Sequence, residues 1–439
     1  MSYFHLNLIL QGKLTVCCLL MLSAMPLNAQ REAKQIGDFK ESISLNEHLR
    51  GTKRTLQYRP DGDEFVCVNG KNRYTRALYG SHSPFRVETS DRPVFAFYNN
   101  GRGGNISFKV ILRDGTELAL DCTGHCESRY SAGKRTYYLT DPSWGKGELR
   151  ISVLALADMD GAIWRFSPSN MPKGAILRWQ HGGATGKRLS RNGDMGVDPA
   201  DCFELPAEAT DLVTGELSLQ KEVYLVRGEV SEGYNVRKLY QQAEAASLVL
   251  ASHLKIETPD PYLNTLGGAL VAAADGIWDG QVWLHGAIGW RMPLSGWRAG
   301  YTGDALGWHD RARTHFDAYA ASQVTDVPNT IPHPAQDSTM NLARSEKRWG
   351  TPQYSNGYIC RNPERNNQMH HYDMNLCYMD ELLWHFNWTG DTAYVRKMWP
   401  VITRHLAWEK LNYDPDNDGL YDAYACRSEE RRVGKECRS

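Results

Sequence analysis

Five aspartates in the second half of this 439-residue chain lie at or near the loop ends of predicted helices, where carboxylates can do chemistry. They are Asp304, Asp310, Asp373, Asp418 and Asp422. Two carboxyl groups about 6.5–9.5 Å apart, one protonated and one ionised, can protonate a leaving oxygen and activate a water molecule. A local role is the alternative, because aspartate at a helix start accepts hydrogen bonds from free N–H groups, and Asp310 can pair with a nearby arginine. We predict Asp304 and Asp422 as the catalytic pair.

Aromatic and basic side chains lie close to these aspartates in the sequence. The segment GWRMPLSGWRAGYTGDALGW (289–308) has tryptophans at irregular spacing, which argues against a buried helical stripe and favours flat faces that stack on a sugar ring. Packing in a core is the alternative, since large aromatic side chains dominate cores. The histidines of MHHYDMN (369–375) can bind sugar hydroxyls or lie on the surface. The predicted substrate-binding residues are Trp290, Trp297, Arg298, Trp308, His309, Asp310, His371, Asp373 and Asp418.

Three motifs resemble metal sites but lack a complete set of ligands. The sequence DPDNDG (414–419) matches the first half of a calcium loop, but Ala425 stands at the twelfth position, where glutamate is needed. The sequence CTGHC (122–126) has no second cluster to complete four ligands, which favours a disulfide or two free thiols. His370 and His371 are adjacent on a predicted loop, and a third ligand is not evident. We therefore predict no metal and no cofactor, and a turn at DPDNDG.

The start of the chain has the pattern of an export signal. Lys13 precedes the apolar segment LTVCCLLMLSAM, and LNAQ supplies small residues for cleavage after about Ala29. This apolar segment is too short to span a bilayer, and the sequence offers no other candidate for a membrane span. We therefore predict a periplasmic or secreted protein. The net charge of −1 lacks the basic excess that binding to phosphate backbones requires, so we predict no nucleic-acid partner.

The pattern of apolar residues changes near residue 230. From 30 to 229, short segments such as ELRISVLAL and GAIWRFS alternate with Asn-Gly, Asp-Gly and Gly-Gly turns, which is typical of an antiparallel β-sandwich. From 230 to 258, apolar residues recur every three or four positions, which predicts a linker helix. Further helices are predicted at about 260–275, 302–322, 372–388 and 391–412. The long connections between them, 277–301 and 324–371, can carry a site.

The segment Leu376–Tyr424 resembles the six-hairpin, or (α/α)6, glycosidases. It contains a helix, the sequence WTGD, the sequence VRKMWP, a second helix and the sequence DPDNDGLY. Enzymes of this kind often carry an N-terminal β-sandwich that a helix joins to the toroid. The resemblance implies a β-sandwich, a linker helix and, at 259–426, the first part of a truncated (α/α)6 toroid. The whole chain is also similar to an exported Bacteroidetes family with this catalytic domain.

A second, narrower resemblance lies in RAGYTGDA, from Arg298 to Ala305, which is similar to a segment of the α-L-rhamnosidase family. In that family the general acid, a glutamate, stands immediately before the arginine. The resemblance implies sugar contacts for Arg298 and Asp304. Here the position of the acid is occupied by Trp297, and an indole cannot donate the proton. The rhamnosidase mechanism is therefore not expected, whereas the fold resemblance remains.

The last thirteen residues, RSEERRVGKECRS (427–439), form a charged run without apolar periodicity. Their reverse translation resembles a common short-read sequencing adapter over the whole run, so we predict that this tail is an artefact. Sequencing of the source locus across codon 426 tests the prediction. We expect the reading frame to continue into further helical hairpins. The same thirteen codons followed by a stop codon would contradict it.

These features predict a glycoside hydrolase that acts on a polysaccharide or an oligosaccharide, with inversion by paired carboxylates. A polysaccharide lyase is the second interpretation, with His371, Tyr372, Arg298 and Asn375 around an acidic sugar, although lyases with these two domains usually place the toroid first. A non-catalytic carbohydrate-binding protein is the third, because Trp297 replaces the acid. A partial toroid leaves apolar helix faces in water. We therefore expect the 439-residue chain to be insoluble or inactive, whereas the β domain can fold alone.

Overall fold

The computed structural model describes residues 58–70, 74–99, 102–182, 212–230, 233–286, 291–296, 298–325, 330–332, 352–354, 356–365, 372–414 and 417–419. The predicted signal peptide, the tail and the predicted site residues Trp290, Trp297, His371 and Asp422 lie outside the described residues.

The described elements up to residue 228 are strands and two short 3₁₀ helices, Leu120–Cys122 and Pro142–Trp144, and those after it are mainly α-helices. The strands are β1 (Arg59–Asp61), β2 (Glu64–Val68), β3 (Tyr74–Leu78), β4 (Arg86–Ser90), β5 (Phe95–Asn99), β6 (Arg102–Ile111), β7 (Glu117–Ala119), β8 (His125–Ser131), β9 (Lys134–Thr140), β10 (Glu148–Ala155), β11 (Gly161–Ser169), β12 (Ile176–His181), β13 (Val213–Ser218), β14 (Val223–Gly228), β15 (Leu284–His285), β16 (Met292–Pro293), β17 (Thr330–Pro332) and β18 (Pro352–Tyr354). The helices are α1 (Val236–Ala251), α2 (Pro261–Gly276), α3 (Gly300–Ala305), α4 (His309–Ala320), α5 (Tyr372–Thr389) and α6 (Thr392–Tyr413).

The strands β1 to β14 form two antiparallel sheets. The first sheet has the order β1-β2-β8-β9-β10-β11-β14, and the second has the order β13-β12-β6-β5-β4-β3, with β7 paired to β6. Alternation in the sequence decides which face of a strand is buried, because successive side chains point to opposite faces. In β8, for example, Cys126, Ser128 and Tyr130 are buried and the residues between them are not. Cys126 and the exposed Cys122 both carry free thiols.

The two sheets pack against each other through aromatic side chains. Trp164 of β11 is completely buried and lies edge-on to Phe95 of β5, with ring centroids 5.5 Å apart. Tyr137 of β9 lies edge-on to the same ring at 5.7 Å. Edge-to-face pairs of this kind stabilise a core beyond the apolar area they bury. The prediction of antiparallel sheets followed by helices is confirmed.

Helix α1 covers the outer face of the first sheet. The side chain of Asn235 accepts a hydrogen bond from the Lys238 N–H at 3.1 Å and so caps the start of the helix. Leu239 and Tyr240 are buried against Leu154 of β10. The helix occupies the middle of the segment 230–258 in which the sequence predicts a linker helix.

The helix predicted at 302–322 is two helices in the structure. Helix α3 ends at Ala305, and α4 begins at His309. Between them Gly307 has φ +73°, a backbone conformation that favours glycine. The Trp308 N–H donates to the Gly303 carbonyl at 2.7 Å and closes the turn. The apolar spacing continues across this turn, so periodicity alone does not reveal the break.

Helices α5 and α6 form an antiparallel hairpin with a short turn. Gly390 has φ +60°, and the Asp391 carboxylate accepts hydrogen bonds from the N–H groups of Ala393 and Tyr394 at 3.0 Å each. This aspartate therefore caps α6. Across the hairpin, the ring of Tyr394 lies 5.4 Å from that of His385, edge to face.

Helix α4 runs parallel to α6, and both run antiparallel to α5. Asp317 of α4 accepts a hydrogen bond from the Tyr394 hydroxyl at 3.0 Å, and Gln323, beyond α4, accepts one from Arg404 at 2.8 Å. One end of this bundle holds α3, the start of α4, the end of α5 and the start of α6. We call it the α3 end. The opposite end, the far end, holds the start of α5 and the turn at 414–419. Helix α6 has 22 residues, so its two ends are about 33 Å apart.

The hairpin exposes several large apolar side chains. They are Leu376, Leu383, Trp384, Trp388, Trp399, Leu406 and Leu411, each between 42% and 57% exposed. An exposed apolar surface of this extent disfavours solubility. Among the described helices, none is both long enough and apolar enough to cross a membrane.

Helix α2 connects the β-sheets to the helical bundle. Leu266 and Ala269 pack against the core of the sheets, and the Thr265 hydroxyl donates to the Gly62 carbonyl at 2.9 Å. At the end of the helix, the guanidinium of Arg86 from β4 donates to the Gly276 carbonyl. The β-sheets and the bundle therefore share both apolar packing and buried hydrogen bonds.

A buried carboxylate reinforces this junction. Asp275 accepts hydrogen bonds from His82 Nε2 at 3.2 Å and from Arg311 Nη1 at 2.7 Å. Burial acts to raise the pKa of Asp275, but the two partners outweigh burial and hold it below its ordinary value. The guanidinium of Arg311 also lies over the ring of Trp278 at 5.7 Å.

Candidate acid site between helices α3 and α5

A buried carboxylic acid, Glu381, lies between α5 and α3. Its side chain projects from the face of α5 that also carries Tyr378 and His385, and the residue is 1% exposed. Its Oε2 accepts a hydrogen bond from the Gly300 N–H at 2.9 Å. Its Oε1 is buried and has no hydrogen-bond partner among the described residues. One oxygen is therefore held by a hydrogen bond, whereas the other is buried without one among the described residues.

The environment of Glu381 keeps its carboxyl protonated at neutral pH. Burial is the largest effect and raises the pKa to about 8, and the charge of Asp380 acts in the same direction. The hydrogen bonds from Gly300 and Arg298 act in the opposite direction but are weaker. A carboxylic acid whose pKa is raised by an apolar site can serve as a proton donor at neutral pH.

The backbone from Arg298 to Gly300 is shaped around this carboxyl. Arg298 has φ +63°, a left-handed conformation that costs free energy for a residue with a side chain and is often found at functional sites. A Cβ atom on Gly300 would lie 2.4 Å from the Oε2 of Glu381, closer than real Cβ contacts. A side chain at residue 300 would therefore require the Glu381 carboxyl to move from its present position.

Asp304, a predicted catalytic residue, lies one turn further along α3 and is held by two histidines. His309 Nδ1 is 2.7 Å from Oδ1, and His385 Nδ1 is 2.9 Å from each oxygen. Since an ionised carboxylate only accepts hydrogen bonds, both Nδ1 atoms carry the proton. The side chain of Asp304 is 2% exposed and that of His309 is 40% exposed. Asp304 therefore orients a histidine that faces solvent.

His385 is the buried member of this cluster. Its side chain is completely buried, and its Nε2 has no hydrogen-bond partner among the described residues. The ring packs against Phe316 at 5.5 Å. Glu381 and His385 are four residues apart on α5, and Gly300 and Asp304 are four apart on α3. The two contacts, Glu381 with Gly300 and Asp304 with His385, are thus one helical turn apart along both helices, a rise of roughly 6 Å for the backbone.

Exposed polar and aromatic groups lie on the solvent side of the same helices. The Tyr301 hydroxyl donates a hydrogen bond to Asp380. Trp384, which is 50% exposed, lies edge-on to Tyr301 with ring centroids 6.5 Å apart. Trp388, one turn further along α5, is 55% exposed. This surface covers the α3 side of α5.

Two predicted binding residues have local structural roles. Trp308 is 9% exposed, with the guanidinium of Arg311 over its ring at 4.4 Å and the ring of His253 at 5.6 Å. It is therefore packed and does not present a flat face to solvent. Asp310 is exposed and forms an ion pair with Arg313 at 3.2 Å on the same helix, the local alternative that its sequence position allows.

The predicted aspartates that the structure describes lie at two ends of the bundle, Asp304 and Asp310 at the α3 end and Asp373 and Asp418 at the far end. Asp304 lies at the α3 end, whereas Asp418 lies beyond the end of α6, at the far end. The backbone of Asp373 also lies at the far end, in the first turn of α5. Beyond α6, the Asp414 carboxylate accepts a hydrogen bond from the Gly419 N–H at 3.4 Å, and the Asp414 carbonyl accepts one from the Asn417 N–H at 3.3 Å. Among the described residues, no cluster of three or more potential ligands could hold a metal ion.

Comparisons with known proteins locate relatives for part of the chain. A family model described as a domain of unknown function (DUF4450) matches residues 100–234, which contain most of the β-sheet region. A search of curated proteins gives no match. Among solved structures, the chain is similar to a bacterial glucoamylase complexed with acarbose, with 9% identity and a TM-score of 0.41. The matched part covers 73% of this chain and 60% of the glucoamylase chain, so this chain spans less than two thirds of that protein.

Sequence reasoning did not identify Glu381. The residue lies in a segment, LCYMDELLWHF, that reads as an ordinary amphipathic helix. A signal is nevertheless present, because Tyr378, Leu382 and His385 at positions i−3, i+1 and i+4 form one buried face that includes Glu381. A glutamate on the apolar face of a helix is rarely buried without a reason.

Proposed function

We propose that this protein is an exported glycoside hydrolase that cleaves a polysaccharide or an oligosaccharide with inversion at the anomeric carbon. The observation that carries the proposal is the buried carboxyl of Glu381, whose Oε2 accepts a hydrogen bond from the Gly300 N–H and whose Oε1 has no hydrogen-bond partner among the described residues. In the rhamnosidase-like segment the acid position next to Arg298 is occupied by Trp297. Glu381 brings a carboxyl group to the same turn from α5, and this supports the proposal of a hydrolase.

The proposed reaction uses one acid and one base. Glu381 donates its proton to the glycosidic oxygen as the bond from that oxygen to the anomeric carbon breaks. A water molecule forms the new bond to the anomeric carbon and gives its proton to His309 Nε2. Asp304 holds His309 by its Nδ1–H and stabilises the imidazolium that results. Two carboxyl groups with different environments thus have different roles, one protonated and one ionised. The role of Asp422 as a catalytic residue stays a prediction.

The pH dependence of the reaction tests this assignment. As the pH rises through about 8, Glu381 loses its proton, and kcat/KM should fall about tenfold for each further pH unit. The measurement is a pH profile of reducing-end release from glycans, with the protein as its source locus encodes it. An aryl glycoside with a nitrophenolate leaving group needs no acid and serves as the control. Its kcat should show no alkaline decline near pH 8.

Analysis of the products separates the alternatives. NMR of the fresh product should show the anomer opposite to that of the substrate. An unsaturated product that absorbs in the ultraviolet would identify a lyase and would overturn the hydrolase. Equal alkaline declines with both substrates would remove Glu381 as the acid.

A further inference from the structure

We infer that Trp384, Tyr301 and Asp380 form a subsite for a neutral pyranose sugar on the solvent side of α5. The inference rests on the proposed function, because it names the class of sugar that reaches the acid. The three residues differ from the tryptophans in which the sequence predicts a stacking platform, and they lie on α3 (Tyr301) and α5 (Asp380, Trp384).

The subsite combines a flat apolar face with a hydrogen-bonding pair. The indole of Trp384 is half exposed and is fixed edge-on by the ring of Tyr301. The Tyr301 hydroxyl is in turn fixed by Asp380. Partial burial, followed by the hydrogen bond to Asp380, raises the pKa of Tyr301, so the hydroxyl remains a proton donor over the whole range of enzyme assays. The platform and its polar neighbours are therefore held in place before a ligand binds, which lowers the entropic cost of binding.

This arrangement matches the chemistry of a pyranose ring. One face of such a ring carries C–H groups that stack on an indole, and the hydroxyls at its edge donate hydrogen bonds to a carboxylate. Asp380 offers a carboxylate oxygen that is not needed by Tyr301, since an ionised carboxylate accepts several hydrogen bonds. An acidic sugar would bring a second negative charge close to Asp380, which is unfavourable. The subsite therefore selects neutral sugars.

The residues of the subsite are sequence neighbours of the buried acid and its partner. Asp380 and Glu381 are adjacent on α5, and Tyr301 and Gly300 are adjacent on α3, so each residue of the surface pair neighbours one of the buried pair. A chain of sugars lying along Trp384 toward Trp388 would follow the axis of α5 over one helical turn, about 6 Å. This is the scale of one sugar unit, and the subsite orients the chain relative to Glu381.

The chain itself provides a matched control. Trp399 of α6 is as exposed as Trp388, at 55%, but among the described residues its indole has no hydrogen-bond partner or ring contact. If exposed tryptophan alone were enough for sugar binding, Trp399→Ala and Trp384→Ala would have the same effect. If the polar pair is essential, only the Trp384 variant will lose affinity.

The experiment is calorimetric titration of neutral oligosaccharides and of oligouronates into the protein as its source locus encodes it. We expect Trp384→Ala to weaken the binding of the neutral ligand at least tenfold and Asp380→Asn to weaken it severalfold, with Trp399→Ala unchanged. Melting temperatures of the variants verify that they fold. Equal binding by the two tryptophan variants, or tighter binding of oligouronates than of neutral ligands, would overturn the subsite. Higher solubility of both variants without a change in sugar binding would assign this face to protein packing and would also overturn it.

One further variant separates this inference from the proposed function. Glu381→Gln should bind the neutral oligosaccharide as tightly as the wild type while hydrolysis is lost. Sugar binding that depends on Trp384 in a protein without hydrolysis would support the subsite and reject the hydrolase. Hydrolysis with an unchanged KM in Trp384→Ala would support the hydrolase and reject the subsite.

Discussion

The variant Glu381→Gln should lose hydrolysis of unactivated glycans by about 10²–10⁴-fold in kcat, because the amide cannot donate a proton to the leaving oxygen. The substrate KM should change little, since the Oε2 contact with the Gly300 N–H can be made equally by the amide oxygen. Hydrolysis of a nitrophenyl glycoside should be largely retained. Rates of reducing-end release and of nitrophenolate release check the two parts of the prediction.

The same variant should change the pH dependence of stability. The folded-state pKa of Glu381 is about 8, above its ordinary value of 4.5. Between these pH values the folded protein binds more protons than the unfolded chain, so stability falls as the pH rises from about 4.5 to about 8. The slope is at most about 1.4 kcal/mol per pH unit. The variant should lack this slope, and thermal melting at pH 5.5, 7 and 8.5 measures it.

The kcat and the pH dependence of stability together distinguish a catalytic role of Glu381 from a structural one. A glutamate that only anchors the Arg298–Gly300 turn would alter the stability profile without a loss in kcat. Glu257→Gln is the control, because Glu257 is exposed and pairs only with Lys255 among the described residues. A Glu381→Gln variant with wild-type activity on unactivated glycans would refute the proposed mechanism.

The second large effect is expected at the junction between the β-sheets and the bundle. Arg86 is completely buried, and its guanidinium donates to the carbonyl oxygens of Ser83 at 2.7 Å, Phe85 at 2.6 Å and Gly276. Its plane lies over the ring of Tyr79 at 4.6 Å. Burial lowers its pKa to about 10, so it stays charged at neutral pH. One cation thus satisfies acceptors on both sides of the junction.

Replacing Arg86 by methionine should lower the free energy of unfolding by about 3–5 kcal/mol. The substitution leaves buried carbonyl groups without a donor and removes the cation beside the buried carboxyl of Glu88. Burial raises the pKa of Glu88 to about 7, and Arg86 partly opposes this effect. Without Arg86, protonation of Glu88 should extend to higher pH. Denaturant unfolding of the variant, at matched protein concentration, measures the loss.

The same experiment examines whether the β-sheet region folds independently. Leu266 and Ala269 of α2 pack into the sheet core. We therefore expect one unfolding transition, in which the near-ultraviolet and far-ultraviolet circular dichroism signals change at the same denaturant concentration. Arg150→Met on the exposed face of β10 is the control and should unfold like the wild type. Two separated transitions in the wild type would favour the sequence-based expectation of a β domain that folds alone.

The helices and strands can largely be predicted from the sequence, but the contacts between them cannot. Short segments such as ELRISVLAL and GAIWRFS, bounded by turn residues, predict β10 and β11. The burial of both faces where α1 covers the sheet is not evident from these segments. The hairpin of α5 and α6 follows from two periodic segments around Gly390 and Asp391. The junction made by Arg86 and Gly276 joins residues 190 positions apart. Such a contact depends on how elements pack, which periodicity does not specify.

For the candidate site, too, the sequence predicts some of the residues but not the contacts between them. Asp304 is recognisable from its motif, but its two histidine partners are not, since His385 lies on another helix. Glu381 appears in the sequence as one glutamate among many, and only burial and the Gly300 N–H distinguish it. The error at α3 and α4 has a local cause, because Gly307 interrupts the helix without interrupting the apolar spacing.

The two hydrogen bonds of Asp304 also differ in when they can form during synthesis. His309 is 5 residues away along the chain, whereas His385 is 81 residues away. The first bond can form as soon as the turn between α3 and α4 leaves the ribosome. The second must wait for the whole of α5, and contacts of high sequence separation are slow to form. At translation rates of about 5–20 residues per second, this carboxylate waits several seconds for its second partner. During that interval the nascent bundle exposes the apolar face on which α5 later docks, and chaperone binding should be strongest there.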